Sequence, residues 1–478
     1  MTTVLTDKKE LSRGHRHIAD GYVSKSTAIN ISIGLMLFSC VLMSGFAFSA
    51  HLSLAFMLIF YLLLFASYSI VYLKYLHFIF GSSIAIIGCA VIELFDMELI
   101  ELSDYSSFQG SLPLLAFSWW LLLTVVTVHD SWLSKKLENK NCCRLIHMCD
   151  IFGEKDRKTG LIMYGAACVG CFLIVFTFII VYKNPSFKFG LDRFKYAEQF
   201  DYGLLYNQAN RFIRYLLIPC IVVAIYKKSK IGWIALAVYC AHSFWTGNKF
   251  GSFFSLLCTF LIIYSKKIEP FIEKNRKFII SIVLFMAVLI GGAVFAVSFT
   301  RDEGAENYLL PRLAQQGQLW WKTYDKSDTY HFSEFGDEIA SIKKGTVDIK
   351  DNVGAKYGIY KIMYYTAPKT QVDAKLNSGS RYTEAGFASA YYYLGLPGCV
   401  IFAVLGGVLA STFVNYFLYF LRYNQFIRAF IHLRLFTNLA VFMSMFIFFP
   451  YFNKTSILSY IILLFGSNIF FKYGNEQI

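Results

Sequence analysis

Charge is scarce in this 478-residue chain. Asp, Glu, Lys and Arg make up 16% of it, against about 25% in an ordinary soluble domain. Hydrophobic residues rise to 56% and the mean hydropathy is +0.50. So little charge argues against several soluble domains with separate cores; with the bilayer as solvent, one helical bundle suffices. The apolar runs are too long for barrel strands, and spanning backbone must satisfy its own hydrogen bonds, so the spans are expected to be helices. A Walker A lysine loop is missing, which excludes an ATP-driven pump, and neither a Gly-Xaa-Ser-Xaa-Gly elbow nor a HEXXH zinc motif is present. No repeat of fixed period and no long low-complexity run occurs. None of the eleven cysteines falls in the three longer loops assigned below to the outside, so no disulfide framework is expected. The cluster from Cys142 and Cys143 to His147 and Cys149 lacks a second ligand pair at finger-like spacing, which favours free thiols over zinc.

What is present is a string of about twelve apolar segments: 28–48, 52–73, 76–94, 111–129, 160–182, 212–226, 231–246, 251–265, 278–298, 397–421, 435–449 and 455–471. The expected fold is therefore all-α and polytopic. It divides into a cytoplasmic tail 1–27, nine spans over 28–298, an outer loop and interfacial helix over 299–396, three spans over 397–471, and a cytoplasmic end 472–478. Lys and Arg set the orientation. Short loops assigned inside carry 25 of the 45, short outside loops carry 8, and the long loop 299–384 carries 12. Positive residues hold short loops in the cytoplasm, whereas a long loop crosses regardless of charge. The basic start (Lys8, Lys9, Arg13, Arg16, Lys25) precedes an apolar run too long for a cleavable signal core, so that run reads as an uncleaved first span. The net charge of +14 is thus largely topological and does not point to nucleic acid.

Three places depart from simple spans. Segments 231–246 and 251–265 are short and meet at the Gly-rich turn 246–251, as a tight hairpin or a pair that stops short of full bilayer depth. Residues 385–421 are too long for one span at about 1.5 Å per residue; Pro397 suits a first helical turn, leaving 385–394, with Tyr391, Tyr392 and Tyr393, as an interfacial helix. Residues 206–215 are too polar for the membrane centre and read as the outer end of the sixth span.

Several residues could carry chemistry. Arg211 and Arg214 share a helix face at i, i+3 spacing, within a stretch 183–214 holding six Lys/Arg and three acids. They either snorkel to lipid phosphates or bind an anionic lipid-linked substrate through paired guanidinium bonds. Lys249 sits in the tight outer turn and His242 one to two turns deeper; an ionisable group in a span suggests function, though a neighbour often satisfies a lone His. Arg312, Gln316, Gln318, Trp320 and Trp321 read as a carbohydrate surface or as a Trp-anchored interfacial helix. The loop closes with Arg381 and Glu384, and its twelve basic and twelve acidic residues balance, so a folded cap or lid is expected rather than a tail. The pair Asp96 and Glu98 resembles an acidic metal motif but follows the wrong span for one.

This layout resembles the bacterial O-antigen polymerases, the Wzy-type oligosaccharide repeat-unit polymerases. The likeness runs over nearly the whole chain as organisation: the basic loop before Arg211 and Arg214, the short pair around Gly247-Asn248-Lys249, the late loop with Arg312, Gln316, Gln318, Trp320 and Trp321, and the re-entry from Gly379-Ser380-Arg381 to the tyrosines at 391–393. Many members carry Arg where Lys249 stands; lysine keeps the charge without the fork. The resemblance implies a GT-C-like fold in the bacterial inner membrane and an active site on the periplasmic face. It implies transfer of an undecaprenyl-diphosphate-linked oligosaccharide onto a second lipid-linked repeat unit. It leaves room for a chain-length regulator protein as a partner besides membrane lipid. Such chemistry needs cations for the departing diphosphate, here Arg211, Arg214, Lys249, Arg312 and Arg381. It also needs a base, with His242, His331, Asp302 and Glu384 as candidates. Arginines serve without a metal, and no cofactor is called for. Alternatives are an O-antigen ligase, a lipid-linked oligosaccharide flippase or transporter, and a non-catalytic partner in an envelope complex; transporters usually show repeats and broken helices in both halves. On the polymerase reading the five cations converge on one outward cavity. Finding them more than about 20 Å apart on lipid-facing surfaces would contradict that, since two side chains could not then reach one diphosphate.

Overall fold

The computed structural model describes residues 74–95, 98–99, 101–102, 104–105, 110–139, 157–190, 196, 199–248, 251–274, 305–326, 330–344, 357–377, 381–422, 426–452, 456–458 and 460–461. Among these the chain is helical apart from one two-residue ladder. In order, the helices are α1 (Leu76–Phe95), α2 (Leu112–Asn139), α3 (Arg157–Val181), α4 (Gly203–Tyr226), α5 (Lys230–Trp245), α6 (Gly251–Lys274) and α7 (Ala305–Lys326). They continue as α8 (Phe335–Lys344), α9 (Gly358–Thr366), α10 (Lys369–Asn377), α11 (Ala385–Arg422), α12 (Phe426–Met445) and α13 (Phe449–Phe452). Strands β1 (Glu98–Leu99) and β2 (Asp104–Tyr105) pair antiparallel between α1 and α2.

Among the described residues, four stretches are long and apolar enough to cross a membrane: Leu76–Glu93, Leu112–Leu137, Leu161–Phe189 and Ala385–Leu421. A fifth is the bent pair Gly203–Asn210 and Phe212–Tyr226, whose 41° bend falls at Arg211. The molecule is thus a helical membrane protein by the length and apolarity of its helices. Of the twelve expected spans, 28–48, 52–73, 278–298 and most of 455–471 lie outside the described residues. Segment 231–246 corresponds to α5, a helix of 16 residues, and segment 251–265 corresponds to the apolar part of α6, Ser252–Ser265. Both are shorter than the roughly 20 apolar residues that cross a bilayer.

Packing divides the helices. One group is α3, α4 and α5; the other is α1, α2, α7, α11 and α12; and α6 touches α1, α4, α5 and α11 between them. In the second group, buried polar side chains tie helix ends together. Lys74 Nζ pairs with Asp130 Oδ2 at 3.2 Å, while Tyr75 Oη and Asn415 Nδ2 donate to Asp130 Oδ1 at 2.5 and 2.6 Å. At the other end of α1, Glu93 Oε1 accepts from Ser111 N (2.9 Å) and Ser111 Oγ (2.6 Å), joining the end of α1 to the start of α2. Helix α11 breaks where the sequence places the junction before Pro397: Gly395 has φ 63° and ψ −143°, a backbone that glycine adopts without steric cost.

The long polar loop folds, in its described parts, as α7 to α10. Helix α7 lies along α1 with backbone nearly touching backbone. A Cβ on Gly88 would sit 2.5 Å from the Leu313 carbonyl oxygen and 2.6 Å from Gly317 N. Small residues allow this approach where no hydrophobic effect drives helices together. Gly88→Leu should therefore force the pair apart and cost at least about 1–3 kcal/mol, read as a lower apparent Tm in detergent. An unchanged Tm would contradict the packing.

Candidate functional site

The turn 381–384, between α10 and α11, gathers several of the residues singled out above. Thr383 Oγ1 donates to Gln316 Oε1 at 2.9 Å, and Gln316 Nε2 donates back to the Arg312 carbonyl at 3.4 Å. Arg312, Gln316, Arg381 and Glu384 thus lie around one junction of α7 with α11. The Arg381 guanidinium is exposed and reaches Tyr360 Oη at 3.5 Å; that of Arg312 is exposed beside Gln315 Oε1 at 3.4 Å. Glu384 adopts φ 56°, a left-handed backbone that strains a residue with a side chain. The turn thereby directs its carboxyl into a cavity of about 250 Å³ shared with Gln316, Thr383, His77, Trp119 and Ser444. Surrounding protein pushes the Glu384 carboxyl up to about 8, because desolvation disfavours its charged form. A carboxyl of that affinity near neutral pH exchanges protons readily; Arg312 and Arg381 do not line the cavity.

The same surface is braced from outside the cavity. Glu101, between α1 and α2, accepts a hydrogen bond from Gln318 Nε2 and pairs with Lys375 of α10, while its carbonyl accepts from Tyr382 Oη at 2.8 Å. Trp320 Nε1 donates to the Ser111 carbonyl at 2.9 Å. These contacts correct the expectation of an open carbohydrate surface. Gln318, Trp320 and Trp321 are 1%, 2% and 1% exposed. Their amide and indole faces are spent on protein, and they position α7.

A second polar group lies in the cap. His331 stacks on Tyr392 with ring centroids 4.3 Å apart and pairs with Glu334 at 3.3 Å. Lys361 Nζ bonds Glu334 Oε2 at 2.7 Å, and Tyr392 Oη donates to the same oxygen at 2.9 Å. The Lys361 hydrogen bond, more than any other contact, holds the Glu334 carboxyl below the usual range. Beneath it, Glu338 Oε1 accepts from Gly358 N and Tyr393 Oη, both at 2.6 Å, and burial pushes its carboxyl up to about 7. His331 is therefore engaged in holding the 3₁₀ turn before α8 against α11. Lys361 and Glu334 were not singled out from sequence; Tyr392, through the Tyr391–Tyr393 run, and His331 pointed to this place.

Other expected residues stand apart. His242 is buried on α5 with Nε2 3.2 Å from Tyr206 Oη, the satisfied-neighbour outcome. Arg214 is exposed on α4, which packs with α3 and α5, and its neighbour Tyr215 meets Phe430 of α12. Among the described residues no contact links Arg214 to Arg312 or Arg381. Arg211 lies at the bend of α4, its side chain outside the described set; Lys249 and Asp302 lie outside the described residues, as does the cluster Cys142–Cys149. Among the described residues no group of three or more His, Cys, Asp or Glu is placed to hold a metal ion.

Comparison with known proteins adds one match. Residues 352–461 fit a family of unknown function, DUF6418. The match begins in the long polar loop, takes in Arg381 and Glu384, and ends beyond α13. No curated protein and no solved structure matches the chain.

The raised affinity of Glu384 has a stability consequence of definite sign. The folded chain holds a proton on Glu384 that the unfolded chain releases from about pH 4.5 upward, so this group lowers stability as pH climbs from about 4.5 to about 8. Glu384→Gln removes that slope. The difference in apparent Tm, variant minus wild type, should therefore be more positive at pH 8 than at pH 5. A difference independent of pH would contradict the burial of this carboxyl.

Proposed function

We propose that this protein is a membrane glycosyltransferase of the O-antigen polymerase type, joining undecaprenyl-diphosphate-linked repeat units on the periplasmic face of the bacterial inner membrane. The observation that carries this reading is the junction at 381–384. There a proton-exchanging carboxyl, Glu384, lines a cavity beside the hydrogen-bonding Gln316 and Thr383, with Arg312 four residues before Gln316 on α7 and Arg381 three residues before Glu384 in the turn. In this reading Glu384 takes the proton from the acceptor hydroxyl as that oxygen bonds to the anomeric carbon. The bond from that carbon to the diphosphate oxygen breaks, and the lipid diphosphate leaves toward Arg312 and Arg381. The proton then passes from Glu384 to water. Preorganised cations lower the barrier by meeting charge as it develops. The braced α7 holds Gln316 and Arg312 in register with the turn, and a chain-length regulator would act on the cap outside it.

The test is glycan length in a bacterial host lacking the gene. Surface lipopolysaccharide should show core bearing a single repeat unit, with the full ladder restored by the wild-type gene. Glu384→Gln should fail to restore it, since loss of a base costs about 10²- to 10⁴-fold in rate, and Arg381→Ala should give a short ladder. Restoration by Glu384→Gln would remove the proposed base. Core without any repeat unit, with lipid-linked polymer accumulating, would indicate a ligase instead. Single units trapped on the cytoplasmic side would indicate a flippase.

A further inference from the structure

The cavity at Glu384 does not end at the outer surface. His77 of α1 lines it from the far side, and His77 also lines a second cavity of about 170 Å³ between α6 and α12. Ala440 is the other residue common to both. The first cavity offers Gln316, Thr383, Glu384 and Ser444 as polar partners; the second offers Ser255, Thr259 and Thr437. Each has room for several waters at about 30 Å³ apiece and enough polar groups to hold them. The remainder of the walls is apolar: Phe78, Phe80, Trp119 and Phe254 in the first, Ile262, Leu433 and Phe436 in the second. The His77 ring lies 5.5 Å from that of Phe254 and 6.1 Å from that of Phe78, so an imidazole flanked by aromatic rings forms a wall common to both cavities. Ionisable side chains in such settings mark ion and proton pathways.

We propose that α1, α6 and α12 enclose a proton path in which His77 is the relay between Glu384 and the second cavity. Glu384 takes a proton from water at the outer turn. The proton crosses the first cavity on ordered water to the unprotonated ring nitrogen of His77, whose other nitrogen releases its own proton to water in the second cavity. The ring is a suited carrier because it holds a donor and an acceptor at once. Among the described residues the charged groups around it are two. Glu384 faces it from the turn before α11, and Lys74, paired with Asp130 of α2, lies three residues before it on the same helix. The other polar groups that line the two cavities, among the described residues, are Ser255, Cys258 and Thr259 of α6, Thr437 and Ser444 of α12, Gln316 of α7, and Thr383 of the turn. The path is independent of sugar transfer, and glycan length is not its readout.

The experiment uses the purified full-length chain in sealed vesicles with a trapped pH dye, driven by a potassium gradient with valinomycin. Wild-type vesicles should change internal pH faster than protein-free vesicles, and His77→Phe and Glu384→Gln should fall to the protein-free rate. His242→Phe, whose histidine lines neither cavity, should conduct as wild type. Size-exclusion profiles of the variants establish that they fold. A wild-type rate equal to that of protein-free vesicles overturns the path without recourse to any variant. So does conduction by folded His77→Phe at the wild-type rate, or a wild-type current carried by sodium with no change of pH.

Discussion

The close approach of α7 to α1 at Gly88 and Gly317 is the contact on which the placement of the long polar loop depends. It is a backbone-to-backbone crossing, possible only because neither helix carries a side chain there. It lowers a helix of low apolarity into a groove of the bundle and so sets Gln316 against Thr383. One turn beyond, it delivers Gln318 to Glu101 and Trp320 to the Ser111 carbonyl. Loss of this crossing would leave the turn 381–384 without the helix that faces it.

Around this crossing the protein uses its few charges at helix ends. Asp130 gathers Lys74, Tyr75 and Asn415 at one end of the bundle, and Glu93 closes the α1–α2 junction at the other. Glu101 and Glu334 each join three segments of the outer cap. A buried carboxylate that lost such partners would carry an uncompensated charge, at a cost of about 3–5 kcal/mol. Glu384 is the exception in the outer region. It has a strained backbone and a carboxyl turned into a cavity, and its raised proton affinity follows from that exposure to protein rather than to water. Departures of this kind from local preference concentrate at functional positions.

The helical, membrane-spanning character was legible in the amino-acid sequence, because hydropathy reports directly on the solvent each segment meets. The break before Pro397, the shortness of 231–246 and the folded character of the long loop follow from helix length, proline chemistry and charge balance. The site was less legible. Arg312, Gln316, Arg381 and Glu384 drew notice through residue type and place; of these, Gln316 and Glu384 line one cavity, while Arg312 and Arg381 do not line it and meet Gln315 and Tyr360 instead. Trp320, Trp321 and Gln318 carried the same kind of signal and are packed inside, since nothing in a sequence tells an aromatic that meets sugar from one that meets Ser111 or Tyr391. Glu101, Lys361 and Thr383 act only through partners distant in the chain. His77 had a signal that passed unused: an ionisable residue at the start of an apolar run.

The most direct measurement of the central claim is a reconstituted reaction. The purified chain in lipid vesicles is given a synthetic polyprenyl-diphosphate-linked oligosaccharide repeat unit, and the products are weighed by mass spectrometry. The account predicts lipid-linked products that grow by whole repeat units with one free polyprenyl diphosphate released for each addition, and no such growth with Glu384→Gln. Unchanged substrate with wild-type protein, under conditions where a known polymerase extends it, would contradict the account.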